Sequence, residues 1–197
     1  MKVYKATDAD MSCRLGKGKF QYTLGEPASA EASKCGNTGL HACEYILDCM
    51  RYYSLGVGSR YFIAEAEGDI AEDGENSRIS CTKLTLLTEL DNRDIARETM
   101  LYMAQHPKRD DWKRSGVMYM VTEDTAWVNV KDGIAIARGP EPKVKGCAGA
   151  HIGWLREVDG KIVAAYLLTV QGPILPDTWY TIETAQEAIR KEQENET

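Results

Sequence analysis

The stretch that most constrains the chain is Cys35 to Tyr53, CGNTGLHACEYILDCMRYY. It holds three of the six cysteines and one of the three histidines within nineteen residues. Gly36, Asn37 and Gly39 tolerate positive φ, so a tight turn costs little there. Beyond it, Ile46, Cys49, Met50 and Tyr53 fall at i, i+3, i+4 and i+7, a spacing that predicts a helix with one apolar stripe. Glu44 and Asp48 lie in its first half and Arg51 near its other end, as the helix dipole favours. Gly56 and Gly58 stop it. His41 and Cys43 precede the helix, where free backbone N–H groups suit a small anion.

The flanks of this stretch read as strands. Residues 2–7 alternate, with Val3 and Lys5 pointing opposite to Tyr4 and Ala6. Residues 8–19, including Gly16 and Lys17, have loop composition. Phe20 and Tyr22 start a brief strand that Gly25-Glu26-Pro27 breaks, and Ala28 to Lys34 reads as loop. Tyr61 to Ala66 is a strand signal closed by Glu67-Gly68-Asp69, and an acidic turn runs from Ala71 to Asn76. Arg78 to Leu87 follows as a strand with Ile79, Cys81, Leu84 and Leu86 as its apolar members. Asp91 is placed to cap a helix running to about Gln105, with Ile95, Thr99, Tyr102 and Met103 on one side. His106-Pro107 ends that helix and marks a domain boundary.

After Trp112 short apolar runs alternate with polar pairs: VMYMV, EDTAWVNV, KDGIAIA. Their regular spacing predicts a few rungs of a β-solenoid or a plain β-meander. Asp159-Gly160 is a hairpin signal that pairs Ile152–Leu155 with 161–170. Trp179 to Ile182 reads as a last strand. Thr184 and Glu187 form a capping-box pattern for a terminal helix whose tail, Arg190 to Thr197, frays. The expected fold class is α+β: a mixed α/β domain over 1–107, then a mainly β domain over 108–197 ending in a helix.

A chain of 197 residues can bury one full core or two small ones, and 43% apolar with 27% charged residues is globular composition. The net charge of −6, with no basic run interleaved with aromatics, argues against direct nucleic-acid binding. No window approaches eighteen apolar residues, so no membrane span is expected. The opening is strand-like and carries no apolar signal core, so a cytoplasmic protein with reduced cysteines is expected.

Two regions together resemble a phage- and prophage-encoded family. The first comprises Lys2-Val3-Tyr4-Lys5, Cys35, Gly39-Leu40-His41-Ala42-Cys43, Tyr52-Tyr53, Phe62 to Asp69 and Lys83-Leu84. The second comprises Lys143-Val144-Lys145-Gly146, the hairpin, and Pro176-Asp177-Thr178-Trp179-Tyr180-Thr181. The resemblance implies a phage setting, the host cytoplasm and a solenoid-like middle, shorter and less regular here, but no agreed chemistry.

Several groups of side chains have the residue types that chemistry requires. Cys35, His41 and Cys43, with Cys49 and Cys13, are of metal-ligating type, yet none of their spacings is a zinc knuckle, and free cysteine commonly packs as a small hydrophobe. Cys35 or Cys43 with His41 has the composition of an activated thiol, set against a histidine that caps the turn. The order strand, Gly-Leu-His-Ala-Cys, helix ending Tyr52-Tyr53, strand loosely resembles the nicotinamide-binding core of ADP-ribosyltransferases, which would give Lys5, His41, Tyr53 and Glu65 catalytic roles. Glu72, Asp73 and Glu75 form an acidic turn without an EF-hand register. Trp112, Trp127, Trp154 and Trp179 are expected mostly in the core or at the seam between the two halves. Met100, Met103, Met118 and Met120 are expected to fill core or to form an adaptable surface. With no complete catalytic set and no cofactor expected, the leading expectation is an accessory protein that binds a host protein, such as an inhibitor of a defence complex in the anti-CRISPR manner. The alternatives are the NAD-using transferase and a virion structural module.

Overall fold

The computed structural model describes residues 1–13, 18–74 and 76–195. Gly16 and Lys17 of the first loop, Glu75 of the acidic turn and the last two residues of the tail lie outside the described residues. The fold is mixed, broadly α+β and mainly β. The backbone divides into two compact units, Met1–Asp91 and Asn92–Thr197.

The first unit contains β1 (Lys2–Thr7), β2 (Ser12–Cys13), β3 (Phe20–Gln21), β4 (Pro27–Ser29), β5 (Leu40–Cys43), α1 (Ile46–Cys49), β6 (Arg60–Glu72) and β7 (Arg78–Leu90). β1 pairs with β5 and β6, and both of those pair with β7, every pairing antiparallel, so four strands close into a ring. β4 lies along β7, and β2 and β3 form a separate two-stranded ribbon. Inside the ring Val3, Leu40, Ala42, Phe62, Ala64, Ile79, Cys81, Leu84 and Leu86 form one apolar cluster. Each large side chain there contributes about 1.5–3 kcal/mol by leaving water.

β6 does not end at Gly68 as its composition suggests. Gly68 and Asp69 together face the single residue Thr82, a bulge that lets the strand run on to Glu72. Only glycine fits, because φ is +75° and a Cβ would stand 2.1 Å from Thr82 Oγ1. Residues 27–29, expected as loop, are paired strand.

The helix expected to start near Glu44 is a single turn, Ile46–Cys49, and Leu40–Cys43 before it is strand. The reason lies in burial. Tyr45, Ile46, Leu47, Cys49 and Met50 are all buried, so this segment needs no solvent face. Asp48 is buried too, and its carboxylate accepts from the Ser77 N–H (3.0 Å) and hydroxyl (2.7 Å). The Ser77 hydroxyl oxygen in turn accepts from the Tyr45 N–H (2.8 Å). Tertiary bonds therefore anchor the turn, alongside local ones such as Tyr53 N–H to the Cys49 carbonyl (3.1 Å).

The second unit contains α2 (Asn92–Gln105), β8 (Arg114–Ser115), β9 (Tyr119–Val128), β10 (Ile134–Gly146), β11 (His151–Val158), β12 (Lys161–Thr169) and α3 (Ile182–Asn195). The sheet order is β12-β11-β10-β9-β8. β9, β10 and β11 run parallel: Ile134 lies beside Tyr119, 15 residues earlier, and His151 beside Ile134, 17 earlier. A straight ten-residue strand spans about 33 Å. The few residues linking β9 to β10 cannot retrace that distance, so the strands must bend. β9 bends at Asp124 (φ +60°), and β10 bends where its register slips between Arg138 and Lys143. The two corners stack, since a Cβ on Gly139 would meet Asp124 Oδ1 at 2.2 Å.

One face of this sheet carries Ala126, Ala135, Ala137, Val144, Ile152 and Trp154, covered by Ile182, Ala185, Ala188 and Ile189 of α3. α2 packs against β11 at Gly153, where a Cβ would meet Met100 Sδ at 2.7 Å. The β11–β12 hairpin turns at Asp159 (φ +50°) and Gly160 (φ +72°) as its sequence signals. Trp179 to Ile182 is not a strand. Tyr180 makes one bridge to Val144, and α3 begins at Ile182. Its cap is reciprocal between Thr181 and Thr184: the Thr184 N–H donates to Thr181 Oγ1 (3.3 Å) and the Thr181 N–H to Thr184 Oγ1 (2.9 Å). Thr184 with Glu187 is therefore not the box. Trp112 and Trp154 are buried, but Trp127 and Trp179 are exposed, against their expected place in a core or at a seam. No helix among the described residues is long and apolar enough to cross a membrane.

Candidate functional site

The strand register settles how the sequence-derived quartet is arranged. Lys5 pairs with Phe62 and Val3 with Ala64, so Lys5 lies on the inner face of the ring. It is buried, its ammonium donates to the His41 carbonyl (2.6 Å), and it sits 5.2 Å from the centre of the Tyr22 ring. Burial works against its charge, but the surrounding polar groups, Tyr22 and Cys13 foremost, outweigh that and hold it protonated above the usual lysine range. A buried, fully protonated amine is not a nucleophile.

Glu65 pairs with Lys2, so its side chain projects from the opposite face of β6 and is exposed. Tyr53 is near enough to Lys5 to add to the interactions that keep the lysine ammonium charged. Its carbonyl accepts from the Tyr61 hydroxyl, and it lines an open depression of about 680 Å³ with Asp8, Asp10, Tyr52 and Ser59. Lys5 and His41 are thus neighbours, while Glu65 is turned away from Lys5.

What gathers around His41 is a different set. The Gly36 N–H donates to His41 Nε2 (3.0 Å), which fixes the neutral tautomer with its proton on Nδ1. Arg78 forms an ion pair with Asp73 and donates to the Tyr52 hydroxyl (3.2 Å), and its carbonyl accepts from the Cys35 thiol (3.6 Å). Both Asp73 Oδ2 and Arg78 Nη2 pack against Gly36, where a Cβ would lie 3.2 and 3.1 Å away. Burial, then the charges of Lys5 and Arg78, push the His41 pKa below its ordinary value. The Cys35 thiol is raised by burial and by Asp73. Neither shift favours a thiolate, the reactive form of cysteine.

Cys43 and Cys49 are buried together. The Cys49 thiol donates to the Tyr4 carbonyl (3.3 Å) and is held well above its usual pKa, first by its hydrogen bond with Cys43 and then by burial. All six cysteines are free. Among the described residues no three His, Cys, Asp or Glu side chains are arranged to hold a metal ion. Asp73 of the acidic turn is committed to Arg78.

His41 is the single histidine of residues 1–91, which gives a pH test. Its folded pKa lies below the unfolded value of about 6.5, so the unfolded chain binds the proton first as pH falls. Its contribution is complete above about pH 6.5 and is lost as pH drops below that. Far-UV melts of the full chain are expected to lose stability from pH 7 towards 5, and less steeply in His41→Gln. Equal slopes in the two proteins would show that His41 does not titrate this way.

Sequence reasoning found His41 but missed Arg78, Asp73 and Tyr52 around it. They come from separate segments, and only the β5–β7 register, with Cys43 beside Arg78, brings them together. No curated protein and no solved structure matches the chain. Residues 1–98 do match a family: they carry a DUF7666 domain, a domain of unknown function.

Proposed function

We propose that the chain is a non-catalytic accessory protein that acts by binding a host protein or protein complex, with inhibition of a defence complex as the concrete form. The observation that carries the binding reading is β12. It is the terminal strand of its sheet, nine residues long, with Lys161 as its single charge and with Val163 and Tyr166 exposed. An edge of this kind presents unpaired N–H and C=O groups, and proteins ordinarily blunt such edges with charge, proline or a cover. A partner strand added along residues 164–169, beyond the bulge at Val163, would gain main-chain hydrogen bonds, with the exposed Tyr166 giving selectivity.

The phage setting and host cytoplasm rest on the family resemblance alone. The parallel passes of β9, β10 and β11 are read here as the rungs of a short β-solenoid, supported by their spacing of 15 and 17 residues.

Tagged protein is expected to retain a stoichiometric partner from host lysate. The double variant Val163→Lys, Tyr166→Lys is expected to lose it while melting normally, since both side chains are exposed. Equal retention by the variant, or no partner at all, counts against the reading. Transfer of label from NAD to lysate protein, abolished by Glu65→Gln or His41→Ala, would establish the transferase instead. Co-sedimentation with phage particles would establish a virion module.

A further inference from the structure

We propose that the outward face of the second unit formed by Trp127, Lys145 and Trp179 is a binding site for single-stranded nucleic acid. The three residues are far apart in sequence and side by side in space. β9 and β10 pair Lys145 with Trp127 in parallel register, and Lys143 with Thr125. On the other side of β10, Val144 and Tyr180 exchange both main-chain hydrogen bonds at 2.9 Å, which sets Trp179 beside Lys145 and Thr181 beside Lys143. The Lys145 ammonium stands 5.1 Å from the centre of the Trp179 ring.

Alternation explains why this row faces outward. Ala126, Val144 and Tyr180 point into the core, so Trp127, Lys145 and Trp179 point away from it. Trp127 and Trp179 are 49% and 46% exposed, unlike the fully buried Trp154. Two large apolar surfaces left in water, flanking a cation, are costly unless something covers them.

The chemistry of the face selects its ligand. Its six positions, Trp127, Lys145, Trp179, Thr125, Lys143 and Thr181, hold two positive charges and no carboxylate, in a chain whose net charge is −6. Asp177 borders it at one end, where its N–H bonds the Gly146 carbonyl (2.9 Å), and exposed Glu141, two residues before Lys143 on β10, borders the other. The two indoles stand about two strand spacings apart, ~10 Å, with the ammonium between them. Splayed bases stack on exposed aromatic side chains of a sheet while lysines take the phosphates, and each stacked base contributes about 1–3 kcal/mol. A duplex keeps its bases stacked on one another and offers no free faces to the indoles. The notion of a chain without a basic aromatic stretch holds along the sequence but not across the strands.

The test uses the full chain and a fluorescein-labelled deoxythymidine decamer in low salt, read by anisotropy. Binding is expected, with Trp127→Ala and Trp179→Ala each weakening it about 5- to 150-fold. Two phosphate contacts predict a slope of log affinity against log salt of about −1.4, falling to about −0.7 in Lys145→Gln. Val163→Lys on β12 is expected to leave oligonucleotide binding unchanged, so this site and the strand edge succeed or fail separately. Circular dichroism controls for folding of each variant. Absence of binding at tens of micromolar protein overturns the proposal. So does binding that both tryptophan variants retain, or tryptophan-dependent binding of an acidic polysaccharide in place of the decamer.

Discussion

Trp154→Ala is expected to destabilise the second unit by about 4 kcal/mol. The side chain is fully buried in the cluster between the sheet and α3, and its indole N–H donates to the Tyr180 carbonyl (2.9 Å). Truncation removes the transfer free energy of the indole and leaves a cavity that the small neighbours Ala126, Ala135 and Ala137 cannot fill. The lost hydrogen bond adds little, because the Tyr180 carbonyl still accepts from the Val144 N–H. Trp154→Phe keeps most of the volume and is expected to cost roughly half as much. All four tryptophans lie in residues 92–197, so indole emission during denaturant unfolding reports this unit by itself. A shift below about 1 kcal/mol would mean the site collapses around the gap.

Asp48→Ala is expected to cost the first unit about 2–3 kcal/mol. The carboxylate is buried and takes two hydrogen bonds from Ser77, whose hydroxyl oxygen also accepts from Tyr45. Hydrogen bonds to a charged acceptor contribute about 1.5–3 kcal/mol each, and alanine leaves the Ser77 N–H without this acceptor. Asp48→Asn, which keeps one acceptor oxygen, should fall between wild type and alanine. The unit contains no tryptophan, so its transition is the part of the far-UV change in the full chain that does not coincide with indole emission. An alanine variant within 0.5 kcal/mol of wild type would show that the single helical turn is held by apolar packing alone.

Local signals were legible wherever one residue type decides the backbone. The Asp159-Gly160 hairpin, the β1 alternation and the run of α2 from Asn92 to Gln105 all follow their sequence patterns. Patterns that depend on tertiary company were not. Ile46, Cys49, Met50 and Tyr53 read as one helix stripe, yet the helix is a single buried turn over Ile46–Cys49 and Tyr53 lies beyond it. Trp179 to Ile182 is rich in strand formers, and the reciprocal cap of Thr181 and Thr184 turns it into a helix start. The apolar runs after Trp112 carry no mark of whether their strands lie parallel. Strand direction is set by bends at Asp124 and Gly139 that periodicity does not encode. For the candidate sites the gap is wider. The sequence names His41 and Lys5, but the guanidinium and carboxylate beside His41, and the two indoles beside Lys145, are joined only by register.

The way β9, β10 and β11 follow one another has an evolutionary and engineering consequence. Each pass of 15 to 18 residues advances the chain by one strand width, about 4.8 Å, and takes its strand pairing from the passes on either side, while α3 covers one face. An added whole pass would keep the corners at Asp124 and Gly139 in line, whereas an insertion of a few residues would throw them out of alignment. Size variation among relatives of this unit should come in those quanta.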